Sequence, residues 1–169
     1  MKKNTILFII CCLLVCIGYI YLCFKPIIIH KPYVQYEFVA DSLYNPIDTI
    51  DFMQGKNKII IYTSAQDISF LPNKIKRWSL LECRDNKTIE KIKNNFIFER
   101  ISNDITETTD FDSRIFFFKN NKLVFSDKFM IEESIFLRFN NTGWTLATNY
   151  HELINCFSEF RPVYFPIVK

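Results

Sequence analysis

The sequence predicts an α+β fold: a mostly antiparallel sheet with three or four short helices, preceded by one N-terminal transmembrane helix. Three observations support this prediction. Residues 6–24 contain no charged residue. Several short runs of β-branched and aromatic residues follow, each bounded by turn-forming residues. The amphipathic helical stretches are short, and hairpin signals dominate the second half of the chain, as is typical of antiparallel sheets.

Residues 6–24 form the predicted transmembrane signal-anchor helix, and residues 1–5 form its cytoplasmic tip. At about 1.5 Å per residue the helix spans roughly 28 Å, close to the thickness of the hydrocarbon core of a bilayer. Tyr19, Tyr21 and Phe24 lie near one end, where interfacial aromatic residues are expected. A cleaved signal peptide and a lipoprotein signal are the alternatives. The sequence has neither a small-residue cleavage site nor a small residue before a cysteine.

The charges that flank the helix predict its orientation. Lys2, Lys3 and the amino terminus precede the helix, whereas Lys25 and Lys31 follow it. This slight excess of positive charge favours an N-terminus on the inside. We therefore expect a single-pass protein of the cell membrane whose C-terminal domain is periplasmic or extracellular.

A stalk and one extracytoplasmic domain follow the helix. Residues 25–32 begin and end with Lys-Pro pairs, which favour extended backbone and predict the stalk. Residues 33–169 contain no second linker and no internal repeat, so they are predicted to form one domain. Its first predicted strand is residues 33–40, in which Val34 and Phe38 share one face.

Short helices and strands are predicted in the middle of the domain. Asn45-Pro46 predicts the start of a short helix that Gly55 ends, because Asn is a good N-cap and Pro suits the first turn. Asp85 or Asn86 predicts the cap of a second helix that runs through residue 95. The predicted strands of this region are residues 58–65, 77–83 and 96–101.

Two hairpins and a last helix are predicted in the second half. Residues 102–113 are rich in Thr and Asp and predict a loop. The Asn120-Asn121 pair tolerates the positive φ that a tight primed turn needs. Asn149 and Glu152 form a capping-box pattern at the start of the last helix. The predicted hairpin strands are residues 114–118 with 122–126, and residues 135–139 with 144–148.

The composition of the chain argues against several kinds of binding site. The net charge of +3 comes from residues 1–31, which carry +4, whereas residues 32–169 hold 17 basic against 18 acidic residues. We therefore expect no nucleic-acid partner. Three isolated glycines exclude a Gly-rich phosphate loop, and two histidines argue against a His-rich metal site. We expect no cofactor and no metal.

Cys83 and Cys156 are the two cysteines outside the predicted anchor. In an oxidising compartment they could pair as a disulfide if the last helix packs on the strand that Cys83 ends. The alternative is two separate buried thiols. The sequence leaves both interpretations open.

One stretch resembles a known family. The strand KIIIYTSA (residues 58–65) and the later hairpin RIFFFKNNKLVFS (residues 114–126) are similar to pieces of a thioredoxin-like domain. That family places a Cys-x-x-Cys pair after the first of these strands and a proline before the hairpin. Here residues 63–67 hold no cysteine, and Asp112-Ser113-Arg114 replaces the proline. The resemblance therefore implies a degenerate relative without redox activity, with a parallel strand pair at its centre.

The absence of a catalytic pattern favours a binding function. His151 is the one histidine of the domain and lies beside Glu152, without a nucleophile-elbow motif anywhere in the chain. We expect a non-enzymatic domain that binds a protein or peptide partner, in an accessory, immunity-like or sensor role. A hydrolase or transferase with a pocket around His151 or paired carboxylates is the other alternative. The predicted partner-binding residues are Trp78, Trp144, Tyr150, Tyr164 and Phe165, because Trp and Tyr are favoured interface anchors.

Overall fold

The computed structural model describes residues 3–24, 27–28, 37–38, 43–101, 113–139, 142–164 and 167–168. These ranges contain three α-helices, one 3₁₀ helix and eleven strands. The helices are α1 (Lys3–Phe24), α2 (Asn86–Asn95) and α3 (Tyr150–Phe157), with the 3₁₀ helix at Asp67–Phe70. The strands are β1 (Ile27–Ile28), β2 (Leu43–Tyr44), β3 (Asn57–Tyr62), β4 (Leu80–Cys83), β5 (Phe98–Arg100), β6 (Arg114–Lys119), β7 (Lys122–Ile131), β8 (Ile135–Phe139), β9 (Gly143–Ala147), β10 (Arg161–Pro162) and β11 (Ile167–Val168).

Nine of the described strands form one sheet in the order β10-β4-β3-β6-β7-β8-β9-β5-β2. Every neighbouring pair in it is antiparallel. The predicted α+β class with an antiparallel sheet is confirmed. The parallel central pair that the thioredoxin resemblance implies does not occur among these nine strands; β1 and β11 are parallel, but they form a separate two-stranded sheet.

The predicted hairpin at Asn120-Asn121 is confirmed. Both asparagines have positive φ, at 50° and 63°, as a two-residue primed turn requires. The β6–β7 register shifts between Phe117 and Phe118, which leaves one extra residue on β7. Beyond this bulge β7 continues to Ile131 and pairs with β8, so one long strand joins the two halves of the sheet.

The helix predicted from Asn45 to Gly55 is wrong: residues 46–49 form a turn. Asn45 Oδ1 accepts a hydrogen bond from Ile47 N at 3.0 Å, which is an Asx turn, and Asn45 Nδ2 donates to Lys93 O at 2.8 Å. The side chain thus connects the turn to the end of α2 and does not cap a helix. The domain therefore has two α-helices and one 3₁₀ helix in its described part.

The two predicted helix caps have different outcomes. Asp85 caps α2 through a hydrogen bond from Thr88 N at 2.8 Å, and Ile89 and Ile92 are buried below it. Asn149 precedes α3 as predicted, but its side chain makes no capping hydrogen bond. Its backbone, at φ −112° and ψ 45°, is not in the extended conformation that a capping side chain needs.

Two predicted strands are shorter in the structure, and two other predicted segments lie mostly outside the described residues. The strand predicted at 77–83 covers only Leu80–Cys83, and the one at 96–101 covers only Phe98–Arg100. The strand predicted at 33–40 lies outside the described residues except for 37–38, which are not in a strand. The loop predicted at 102–113 lies outside them except for residue 113.

The centre of the sheet is apolar on both faces. On one face, Ile59, Ile61 and Phe117 join the main core beneath α2 and α3. On the other face lies a smaller cluster of buried residues: Ile60, Leu80, Phe116, Phe118 and Val168. Val168 belongs to β11, so the end of the chain covers the face that the helices leave open. Val168 thus packs on its own domain.

Three phenylalanine rings form the centre of the main core. Phe96 lies 5.2 Å from Phe117 and 5.7 Å from Phe125, and Phe117 lies 5.7 Å from Phe125, all edge to face. All three side chains are at most 2% exposed. These contacts join the end of α2 to the β6–β7 hairpin and add to the energy of burial alone.

Helix α1 is long and apolar enough to cross a membrane: Asn4–Cys23 has a mean hydropathy of 2.9, and none of it is buried inside the protein. A membrane anchor and a signal sequence both have these properties. The last turn of α1 contacts the domain, where Ser79 Oγ donates to Cys23 O at 3.0 Å. The Tyr19 hydroxyl also donates to Tyr164 O.

Replacing Phe117 by alanine should lower the free energy of unfolding by about 3–5 kcal/mol, because it leaves a cavity among rings that cannot close around it. Met53→Ala is the matched control, since Met53 is 55% exposed and its loss should change stability by less than about 0.5 kcal/mol. Urea unfolding of the detergent-solubilised full chain measures both. Equal stabilities for the two variants would contradict the proposed role of the aromatic cluster.

Candidate functional site

A cavity of about 310 Å³ lies at the end of the sheet opposite to the α1 contact. We call it the basic cavity. It is lined by Gly55, Lys56, Asn57, Lys58, Arg84, Asn86 and Asn121. Thr63 N donates to Ser79 O at the other end of β3, so β3 joins the α1 contact to the cavity. The length of β3 separates them by roughly 17 Å.

The turn before β3 and the β6–β7 hairpin build one wall of the basic cavity. Asn120 N donates to Lys56 O at 2.8 Å, and Lys56 N donates to Asn120 Oδ1 at 3.1 Å. Gly55 has a φ of +90°, and a Cβ atom there would collide with Asn120 Oδ1. Glycine is therefore required at position 55 for this close approach.

Two asparagines hold the floor of the basic cavity. Asn57 Nδ2 donates to Phe52 O at 2.7 Å, Gln54 O at 3.0 Å and Asn86 Oδ1 at 3.2 Å. Asn86 Nδ2 in turn donates to Met53 O and to Gly55 O, both at 3.2 Å. These bonds fix the start of α2 against the start of β3. The Asn57 side chain has an oxygen atom that is buried without a hydrogen-bond partner among the described residues.

The charges of the basic cavity are all positive. Lys58 Nζ lies 4.4 Å from the centroid of the Phe118 ring. Partial burial, together with the nearby Arg84 guanidinium, lowers the pKa of Lys58, whereas Glu82 opposes this effect. Arg84 donates two hydrogen bonds to the Glu82 carboxylate, at 2.9 and 3.0 Å. A bound anion would relieve the repulsion between Lys58 and Arg84 and could accept hydrogen bonds from both.

A second cavity of about 460 Å³ shares Arg84 with the first. It lies between the end of β4, the start of α2 and the residues around β10, and its walls carry both signs of charge. It is lined by Glu82, Cys83, Arg84, Asp85, Thr88, Glu159 and Arg161. Because acidic and basic groups are mixed there, it shows less preference for one sign of ligand than the basic cavity.

Cys83 and Cys156 are free thiols in the structure, 3% and 4% exposed, and both belong to the main core. Burial raises the pKa of Cys83 to about 11, with a smaller contribution from the nearby Cys156. Burial also raises the pKa of Cys156. Both therefore remain protonated at neutral pH and are poor nucleophiles. A disulfide between them stays a prediction.

The aromatic residues predicted to bind a partner do not form one surface. Trp78 and Tyr164 meet edge to face at 5.3 Å, and Tyr164 is 61% exposed. Trp144 is buried in β9, and the Tyr150 hydroxyl donates to Glu132 O at 3.4 Å. Phe165 lies outside the described residues. Of the predicted residues, the structure brings together the pair Trp78 and Tyr164, which lies beside the last turn of α1.

Of the groups that an unrecognised enzyme would use, His151, Asp67 and Asp127 lie apart from both cavities, whereas other carboxylates line the second cavity. The exposed His151 packs its ring 5.2 Å from Tyr150 and lines neither cavity. Burial raises the pKa of Asp67 to about 6 and that of Asp127 to about 7, and neither carboxyl contributes to the shift of the other. Among the described residues, no group of three His, Cys, Asp or Glu side chains is placed to hold a metal ion.

Sequence reasoning missed the basic cavity. Lys56, Lys58 and Arg84 each look like ordinary surface charges in the sequence, and only the pairing of β3 with β4 brings them together. A local signal was present in Gly55, which was interpreted as a helix stop and instead permits the contact with the hairpin turn.

No protein-family model, curated protein or solved structure matches the chain. The arguments for function therefore come from the site itself.

Asp67 should make stability depend on pH. It is 1% exposed, and its folded pKa of about 6 exceeds its ordinary value of 3.8. Its contribution to stability is therefore fully present below about pH 4 and is lost as the pH rises through about 6, by roughly 1–3 kcal/mol. Asp67→Asn should be more stable than the wild type at pH 8 and should lose this advantage near pH 4.

Urea unfolding of the full chain between pH 4 and pH 8 measures the Asp67 effect. Asp48→Asn is the control, because Asp48 is exposed and its replacement should change the free energy of unfolding by less than about 0.5 kcal/mol. A stability difference between Asp67→Asn and the wild type that stays constant over this range would contradict the assignment.

Proposed function

We propose that this chain is a single-pass, membrane-anchored, non-enzymatic domain that binds a protein or peptide partner at the outer face of the membrane. In this proposal α1 is the anchor, and an acidic group of the partner enters the basic cavity. The single observation that carries the proposal is the clustering of Lys56, Lys58 and Arg84 with asparagine side chains at the end of the sheet farthest from α1.

The chemistry of the basic cavity suits a carboxylate. The cavity offers lysine and guanidinium donors, and no acidic residue lines it. Hydrogen bonds between charged groups are the strongest that a protein surface can offer to a partner. The volume of about 310 Å³ is sufficient for one or two side chains and is small for an extended ligand.

The position of the basic cavity suits a partner outside the membrane. The cavity lies roughly 17 Å along β3 from the contact with α1. The hydrogen-bond network of Asn57 and Asn86 holds its walls in place, so little ordering is needed on binding. The position of His151, which lines neither cavity, favours a binding domain over an enzyme that uses this histidine as a base.

Orientation can be tested by cysteine labelling at an exposed site. Met53 is 55% exposed and lies beside the basic cavity, since Asn86 Nδ2 donates to its carbonyl group. With an impermeant maleimide, Met53→Cys should be labelled on intact cells. The wild type should not be, because Cys83 and Cys156 are buried and the other four cysteines belong to α1, which this proposal places in the membrane. If labelling of Met53→Cys requires lysis of the cells, the domain lies inside and the proposed location is wrong.

Partner binding can be tested by photo-crosslinking from position 121, at the rim of the basic cavity. The double variant Lys58→Gln with Arg84→Gln removes two positive charges and should lower the yield of a crosslinked product at least about tenfold, because each charged hydrogen bond is worth roughly 1.5–3 kcal/mol. The control is Lys74→Gln with Lys76→Gln, which removes the same charge near α1, and the product should persist.

Two outcomes would contradict the proposed partner. One is the absence of any protein crosslinked from position 121 in intact membranes. The other is a product whose yield is the same in the double variant at Lys58 and Arg84 as in the wild type. Circular dichroism and the urea midpoint of each variant establish that the domain remains folded.

A further inference from the structure

Residues 68–79 form a basic strip beside α1, which we call the junction strip. No acidic residue occurs within it, whereas Lys74, Lys76 and Arg77 are exposed. Phe70 adds an apolar side chain that is 42% exposed. The combination of exposed cations and an exposed aromatic ring is typical of segments that lie at a lipid surface.

The junction strip has a fixed conformation. Leu71 and Ile75 are 3% and 1% exposed and hold the strip on the main core. Between them the backbone turns, with Ile75 N donating to Pro72 O at 2.9 Å and Trp78 N donating to Ile75 O at 3.1 Å. The cations therefore project outward from a backbone that packing and hydrogen bonds hold in place.

The end of the junction strip is attached to the last turn of the apolar helix. Ser79 Oγ donates to Cys23 O at 3.0 Å, and Cys23 is the last residue of the span Asn4–Cys23. One helical turn earlier, the Tyr19 hydroxyl donates to Tyr164 O. The Tyr164 ring packs against Trp78 at 5.3 Å. A Trp–Tyr pair therefore lies at the depth where a membrane-spanning α1 would leave the hydrocarbon core.

We propose that the junction strip is a membrane-surface contact that binds anionic phospholipid headgroups through Lys74, Lys76 and Arg77, with Trp78 and Tyr164 in the interfacial layer. The proposal rests on the membrane anchoring of the proposed function. Continuity with α1 and the uniform positive charge of the strip favour a lipid surface over a protein partner. Lys and Arg residues at this level attract anionic headgroups, and the attraction weakens as salt screens it.

The contact can be measured with the full chain in lipid vesicles, using tryptophan as a depth probe. Trp144→Phe leaves Trp78 as the single tryptophan, and Trp78→Phe leaves the buried Trp144 of β9, five strands along the sheet from β4. Lipids brominated near the headgroup should quench Trp78 several-fold more than Trp144. Including phosphatidylglycerol in phosphatidylcholine vesicles should increase the quenching of Trp78, and added salt should reverse this increase.

Charge variants in the single-Trp78 protein identify the groups responsible. The triple variant Lys74→Gln, Lys76→Gln and Arg77→Gln should lose the dependence on phosphatidylglycerol. The variant Lys87→Gln with Lys122→Gln, which removes two exposed cations outside the junction strip, should retain it. Equal quenching of Trp78 and Trp144 would overturn the proposal and leave Trp78 and Tyr164 free for a protein partner. A phosphatidylglycerol effect that persists in the triple variant would overturn the assignment of the three cations.

The failure of this proposal can be separated from the failure of the proposed function. If alkaline carbonate releases the chain from the vesicles, α1 is not an anchor and both proposals fail. If the chain resists carbonate and Trp78 is not quenched, only the surface contact fails.

Discussion

The structure depends on the burial of both faces of β3 and β6. Ile59 and Phe117 point toward the helices, whereas Ile60 and Phe116 point the other way, and all four are at most 5% exposed. A strand buried on both sides needs a cover on each face. Helices α2 and α3 cover one face, and the chain has no further described helix in the domain for the other. Val168 of β11 occupies that face instead.

This second cover connects the domain to α1. β11 pairs with β1, which begins three residues after α1 ends, so the segment that follows α1 meets the last described strand. The contacts of Cys23 with Ser79 and of Tyr19 with Tyr164 lie next to this pairing in the sequence. These contacts place α1 at the end of β3 where Thr63 N donates to Ser79 O. The opposite end is then free to carry the basic cavity.

Local signals predicted the local structure well. The turn at Asn120-Asn121 and the cap at Asp85 depend on residues within a few positions of one another, so their chemistry could be recognised in the sequence. Asn45 Oδ1 accepts a local hydrogen bond from Ile47 N, as an N-cap would, but the segment forms only a turn, which Asn45 Nδ2 connects to Lys93 O in α2. The sequence did not predict the basic cavity, because Lys58 and Arg84 come together only through the β3–β4 register.

The domain has nearly equal numbers of basic and acidic residues, but they are unevenly distributed. Residues 32–169 carry 17 basic and 18 acidic residues, a balance that argues against a nucleic-acid footprint spread over the domain. Yet the two ends of β3 and β4 are each locally basic: the junction strip at one end, and Lys56, Lys58 and Arg84 at the other. Carboxylates such as Glu99 and Glu132 lie in the other half of the sheet and bring the total charge of the domain close to zero. Because salt screens exposed charges over about 8–10 Å, two basic regions roughly 17 Å apart act independently. Each region therefore keeps its own positive potential, which the total charge of the domain does not reveal.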